Sequence, residues 1–236
     1  KTTGGLTMII ALDIETIPNP EMVPLLPEPE CTDSRLKDPD KIEAHIQAKR
    51  EKQHADMALD PLTGRVCCFA LVGRKDDAAP EDAPTEFTMV LPKMKDKEEK
   101  YLIQTIFDTL GKETTRIATW NGIGFDLPFI YKRAMILGVN PANFGAPPLT
   151  TWTKRYNTDR HFDLMKIWDG WQGGAFTKLD TVAGLMLGAN KDEIDFAEFP
   201  ALIETAEGRE KIGAYCLQDT RLTWRLWERF NGTLFA

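Results

Sequence analysis

Asp13 and Glu15 stand two residues apart at the charged end of an apolar run, Leu6-Thr-Met-Ile-Ile-Ala-Leu-Asp13, so on a strand both carboxylates project from one face. Like charges held together raise each other's pKa, and a divalent cation reverses the sign of that problem. Taken alone, the pair is also what a strand ending in charge looks like. Far along the chain, Tyr215 and Asp219 are four residues apart, one turn above each other on a helix face. A half-buried Tyr beside an exposed Asp would give the same spacing. Asp126, in Asp126-Leu127-Pro128, suits a helix cap worth about 1 kcal/mol, with Pro in the first turn. The combination carries the weight, because hard oxygen ligands at strand ends, or on a helix packed over the sheet edge, favour magnesium or manganese. The three histidines, His45, His54 and His161, are dispersed, which argues against zinc. No Gly-x-Ser-x-Gly or P-loop pattern occurs, so acyl transfer and nucleoside-triphosphate hydrolysis by those routes drop out.

These residues need a scaffold, and 236 residues with 42% hydrophobic and 28% charged content are enough for one large α/β domain. With 17 Gly and 15 Pro, the composition is neither disordered nor collagen-like. No run of about 18 uncharged apolar residues exists to span a membrane. The four cysteines, Cys31, Cys67, Cys68 and Cys216, lack metal-ligand spacing among themselves and fit a reduced compartment, so a cytoplasmic location is expected. The chain begins at Lys1 rather than Met, which leaves a trimmed start open. A net charge of −7 argues against coating duplex DNA by bulk electrostatics, but does not exclude a nucleic-acid enzyme whose acidity is gathered around metal ions.

The first strand is followed by closely spaced prolines from Pro18 to Pro29, an extended loop, and by a polar, exposed helix over 40–57. Together they form an insertion at about residues 18–60, a flap over substrate or a docking arm. Arg65 to Gly73 and Glu86 to Leu91 read as strands of a hairpin, Glu98 to Leu110 as an amphipathic helix stopped by Gly111, and Arg116 to Trp120 as another strand. Asn121-Gly122 is a turn before a helix from Asp126 to about Leu137. Phe162 to Trp168 is a short apolar segment, Asp180 can cap a helix ending before Gly188, and Arg209 to Phe230 is a long amphipathic helix. This order predicts a mixed sheet with helices packed on it.

Ala11-Leu-Asp-Ile-Glu-Thr16, Trp120-Asn-Gly-Ile-Gly-Phe-Asp126 and Tyr215-Cys-Leu-Gln-Asp219 resemble, in order and spread, the three exonuclease motifs of the DnaQ-like DEDDy 3′–5′ exonucleases. Phe125-Asp-Leu-Pro-Phe-Ile130 and His161-Phe-Asp-Leu-Met165 make the chain, over about residues 7–230, most similar to the PolB-like subgroup, akin to the proofreading domain of family B DNA polymerases. The resemblance implies a ribonuclease-H-like fold, a mixed five-stranded sheet flanked by helices, in one exonuclease domain over residues 1–236. It implies two divalent cations, Mg2+ or Mn2+, held by Asp13, Glu15, Asp126 and Asp219. Asp13 would bridge both ions, Glu15 and Asp219 would complete the site of the attacking water, and Asp126 would support the second ion. Tyr215 would orient the water, since a phenol of ordinary pKa near 10 is a poor base at pH 7. Asp163 is ranked as a structural or supporting carboxylate.

The implied activity is hydrolysis from the 3′ end of single-stranded DNA, favoured over RNA, releasing nucleoside 5′-monophosphates, with a polymerase or another replication or repair protein as a possible partner. Leu12, Ile14, Thr16, Trp120, Asn121 and Phe125 lie beside the motifs and are the candidates to hold the unpaired end by stacking and contact. Leu12 and Ile14 also fit inward-facing core positions of a strand. Lys154, Arg155 and Arg160 are candidates for backbone phosphates, or members of a solvated loop. Two rivals remain. A nucleic-acid-binding or assembly module with this fold would lack activity, although all four acids and the Tyr are present. An aspartate-nucleophile phosphohydrolase would need an Asp where Glu15 stands and a phosphate-binding Ser/Thr and Lys sequence.

Overall fold

The apolar run at the start forms β1 (Met8–Pro18), which continues through the acidic pair instead of ending at Asp13. The β-branched Ile14, Thr16 and Ile17 sustain it, paired antiparallel with β2 (Gly64–Lys75) along its whole length. The computed structural model describes residues 8–75, 78–79, 81–112, 115–189 and 194–234, so Leu6 and Thr7, where the strand was expected to begin, lie outside the described residues. After β1 the prolines permit one 3₁₀ turn (Pro20–Leu25) before α1 (Pro39–Asp56), which buries no residue, as its polar sequence requires. The insertion is tied together by polar contacts, Lys49 Nζ donating to Glu30 O at 2.9 Å and Gln53 Nε2 to Pro27 O at 3.1 Å.

β2 turns back into β3 (Thr85–Val90), followed by α2 (Asp96–Leu110), β4 (Thr115–Thr119), α3 (Asp126–Ile136) and the single turn α4 (Leu149–Trp152). The segment read as Phe162 to Trp168 divides into β5 (His161–Asp163) and α5 (Leu164–Trp168). Then come α6 (Leu179–Leu187), stopped by Gly188 at φ +60°, the short α7 (Phe199–Leu202) and the long α8 (Ala206–Leu234). The sheet is mixed, with strand order β3-β2-β1-β4-β5. β1, β2 and β3 are antiparallel neighbours, whereas β4 and β5 run parallel to β1. This is the α/β architecture expected from the motifs.

Alternate residues of β1 serve opposite faces. Ile10, Leu12 and Ile14 join Leu102, Ile106, Phe107, Leu127 and Ile130, from α2 and α3. Ile9 and Ala11 join Val182, Leu222, Leu226 and Phe230, from α6 and α8. Asp13 and Glu15 continue this second row. Opposite them the register shifts, Glu15 facing Cys68 and Thr16 facing Val66, so Cys67 is an extra residue in a β-bulge. The Val66 N–H is taken by Glu99 Oε1 at 3.0 Å, and the same carboxylate holds Arg133 of α3 at 2.8 and 2.6 Å. Both members of this pair are buried, and it joins α2, α3 and the bulge behind the acidic pair.

Candidate active site

Asp13 is half-buried and Glu15 buried, and α8 lies over them. Cys216 of that helix brings its thiol to 3.7 Å from Asp13 O and 3.8 Å from Asp13 Oδ2. One ligand atom from each of Asp13, Glu15 and Cys216 lies within 4.8 Å of the other two. Burial first, then Cys68, Asp13 and Glu15, push the Cys216 thiol well above its ordinary range, so it remains protonated. Sequence reasoning missed Cys216 because it weighed the cysteines against one another; the available signal was its position inside the Tyr215–Asp219 spacing.

Asp126 does not cap α3. Phe125 occupies the capping position, and Asp126 is the first helical residue. Its Oδ1 accepts the Ile14 N–H at 3.3 Å, a bond spanning 112 positions. This amide is available because β1 and β4 pair only from Met8↔Thr115 to Ala11↔Ala118, after which β1 runs on past its neighbour. The second motif is thereby fastened to the backbone between Asp13 and Glu15. Burial, then repulsion from Asp163, raises the Asp126 carboxyl from 3.8 to about 7, against the lowering effect of hydrogen bonds from its own backbone and from Ile14.

Asp163 has the supporting role. Fully buried, it accepts from Asn121 N at 3.2 Å, Ile123 N at 2.8 Å and Lys166 N at 3.1 Å, so it caps α5 and shapes the turn that delivers Asp126. Asn121 itself sits at φ +65°, a conformation Asn tolerates. Next to it Gly122 leaves no space, since a Cβ there would meet Thr119 Oγ1 at 2.2 Å. His161 completes the underside, Nε2 lying 2.8 Å from Thr119 Oγ1 and Nδ1 2.6 Å from Trp152 O.

Tyr215 and Asp219 are both buried on the same face of α8, flanking Cys216. The Tyr215 ring meets Phe196 and Phe199 edge-on, at 5.6 and 6.2 Å. These phenylalanines belong to a 3₁₀ turn and α7, which the sequence reading did not single out. Beside the acids opens a cavity of about 700 Å3, lined by Ile14, Glu15, Thr16 and Phe125, by Phe196, and by His54 of the insertion. Of the residues expected to contact substrate, Ile14, Thr16 and Phe125 therefore meet at one cavity, whereas Leu12 is packed in the core at 1% exposure. Trp120 is turned to the loop before α6, its indole N–H donating to Thr177 O at 2.9 Å, and the Asn121 amide is held by Asp163. The expected basic cluster splits: Arg160 is committed to Thr115 O and Lys112 O and lies over the Trp152 ring, while Arg155 stacks on Tyr156.

Comparison with known proteins matches residues 64–234 to a family described as predicted 3′–5′ exonucleases related to the exonuclease domain of PolB. That span contains Asp126, Asp163, Tyr215 and Asp219 and begins after Asp13 and Glu15. The DNA polymerase catalytic subunit of Epstein-Barr virus (strain B95-8) is 28% identical over 150 residues, 55% of this chain and 15% of that protein. The DNA polymerase of Thermococcus litoralis is 29% identical over 128 residues, 50% of this chain and 8% of that protein. The chain thus matches a small fraction of these relatives. Among solved structures, the family B DNA polymerase of Pyrobaculum calidifontis superposes with a TM-score of 0.60 at 20% identity, over 96% of this chain and 24% of that one, a likeness of fold. Among the described residues no helix is long and apolar enough to cross a membrane.

Proposed function

The chain belongs to the family of predicted 3′–5′ exonucleases related to the exonuclease domain of PolB, and on that premise we propose that it removes nucleoside 5′-monophosphates from the 3′ end of single-stranded nucleic acid, DNA in preference to RNA. The observation that carries the reading is the convergence of Asp13 and Glu15, with Cys216, within 4.8 Å, together with the bond that ties Asp126 to the Ile14 amide between them. Such a set of hard oxygen donors, with a carboxyl raised to about 7 by burial and a like charge, fits divalent cations. We infer two, Mg2+ or Mn2+, which Asp13, Glu15, Asp126 and Asp219 would hold. When bound, such a pair neutralises charge on the incoming and departing oxygens and lowers the pKa of the attacking water.

The remaining work belongs to the chain's own groups. The Tyr215 hydroxyl orients the water, its ring steadied by the edges of Phe196 and Phe199. Ile14, Thr16 and Phe125 receive the terminal nucleotide, with Leu12 backing them from the core. Asp163 holds the turn carrying Asp126. An unpaired 3′ end of this kind arises in replication or repair, where a polymerase is the natural partner, and a cytoplasmic setting suits the free cysteines. The test is release of nucleotides from a labelled single strand with Mn2+ and with a chelator. Metal-dependent mononucleotide release, abolished by Asp13→Asn and slowed by Tyr215→Phe with metal affinity nearly intact, is expected. Binding without metal-dependent release would replace this reading with that of an inactive binding module.

A further inference from the structure

Among the described residues three non-glycine positions have positive φ: Asn121 at 65°, Tyr156 at 63° and Trp171 at 60°. Asn121 belongs to the turn before Asp126. The other two are bulky aromatics in the left-handed region, where their Cβ atoms crowd the backbone. Such strain persists where surroundings or function demand it. Burial does not compensate at Tyr156, which is 66% exposed. The two strained residues nevertheless meet, their ring centroids 5.3 Å apart at 58°. Arg155 fixes the arrangement: its guanidinium lies 4.7 Å from the Tyr156 centroid, and its Nη2 donates to Trp171 O at 2.7 Å.

We propose that Tyr156 and Trp171, locked together by Arg155, form a stacking platform for the single-stranded nucleic acid that trails behind the 3′-terminal nucleotide. The inference rests on the exonuclease reading for its substrate class. Rings with an open face and a guanidinium are the chemistry that holds unpaired bases without regard to sequence, and preformed rings lose little freedom on binding. The platform also connects to the site. Trp171 lies in the loop leading to Thr177, whose hydroxyl donates to Asp169 at 2.6 Å and whose carbonyl receives the Trp120 indole N–H. Phe176, 67% exposed, is the residue before Thr177 in that loop and adds a further exposed ring to it. Exposed Lys154, Arg155 and Lys178 supply positive charge beside these residues in a chain whose net charge is −7. Arg155 is thus kept from the expected phosphate cluster as a stacking group, while Arg160 is reassigned to the fold.

The experiment measures binding of oligothymidylates of about 3 and about 10 nucleotides, below and within the reach of a stacking surface, in chelator to prevent cleavage. Wild-type protein binds the longer strand more tightly. In the double variant Tyr156→Gly, Trp171→Gly that advantage falls by about tenfold or more, the loss of a stacked base. Glycine adopts the left-handed conformation freely, so the thermal midpoint of this variant stays level or rises, which separates lost binding from lost folding. Tyr156→Phe, which keeps the ring, retains the advantage. A length preference that survives the double variant, or that wild-type protein never shows, overturns the platform. Metal-dependent release from the longer strand is scored separately: its absence with the length preference intact removes the exonuclease reading and leaves the platform, whereas release with an unaltered preference in the double variant does the reverse.

Discussion

Replacing Asp163 by Ala tests whether one carboxylate holds the turn that presents Asp126. Its oxygens accept three backbone amides, Asn121 at 3.2 Å, Ile123 at 2.8 Å and Lys166 at 3.1 Å. Bonds to a charged acceptor are worth about 1.5–3 kcal/mol each. Against the sum stand the cost of burying the carboxylate and its repulsion of Asp126, both relieved in the variant. The summed bonds come to about 4.5–9 kcal/mol, and after that relief the net loss expected is about 3 kcal/mol. In a chain of 236 residues that lowers the melting temperature by about 6–12 °C. Asp163→Asn separates the contributions: its amide oxygen keeps the two bonds made by Oδ1, while its NH2 confronts the Ile123 N–H, so about half the loss is expected. Denaturation of both variants, with turnover on a labelled single strand, is the assay. Turnover falls further than metal-independent strand binding, because the turn frees Asp126. A loss below about 1 kcal/mol for the Ala variant would refute the account, since no single charged bond is that weak.

Glu99→Ala leaves Arg133 buried without its partner and strips the Val66 N–H of its acceptor, so a loss of about 3–5 kcal/mol is expected, largely recovered when Arg133 is also replaced by Leu; equilibrium unfolding of single and double variants checks it. His161 is held neutral by burial with its pKa below 6.5, so the unfolded chain takes up a proton that the folded chain refuses. Stability therefore declines as pH falls below 6.5, and melting temperatures of His161→Gln lose that acid slope. In chelator, the Asp126 carboxyl at about 7 instead of 3.8 makes the metal-free protein lose stability as pH rises between those values, the unfolded chain ionising first. Asp126→Asn removes this decline and is the more stable form above pH 7, measurable in the same pH series; a parallel decline in the variant would contradict it.

Much of the fold was legible because its elements obey local rules. The amphipathic spacing of Leu102, Ile103, Ile106, Phe107 and Leu110 gave α2, and the polar 40–57 stretch gave an exposed helix. The end of β1 was missed because charge was read as a boundary, when an interior strand can carry acids on the row that faces a helix. Asp126 looked like a cap because Asp before Leu-Pro is locally ideal for one; its actual partner is an amide 112 positions away, which no window of sequence contains. For the same reason the bulge at Cys67 and the Glu99–Arg133 pair were invisible, each depending on elements that meet only in three dimensions. Cys216 and the Phe196–Phe199 wall around Tyr215 were hidden by chemical expectation and by a short irregular segment respectively.

The acids sit in different surroundings. An ionised carboxylate offers about four acceptor sites. Asp163 gives its capacity to three amides and is thereby fixed as part of the frame. Asp126 accepts the Ile14 amide and its own, in a buried place where a second carboxylate opposes its ionisation. Asp13 and Glu15 are gathered within 4.8 Å of each other on a strand whose other face is committed to the core. A carboxylate with most of its acceptor sites taken by amides has little left to offer a cation, whereas carboxylates crowded together and away from water gain most from one. Where β4 stops pairing, β1 runs on with only β2 beside it, and the Ile14 amide on the open side goes to Asp126, so the end of one strand pairing fastens the second motif to the stretch that carries the acidic pair.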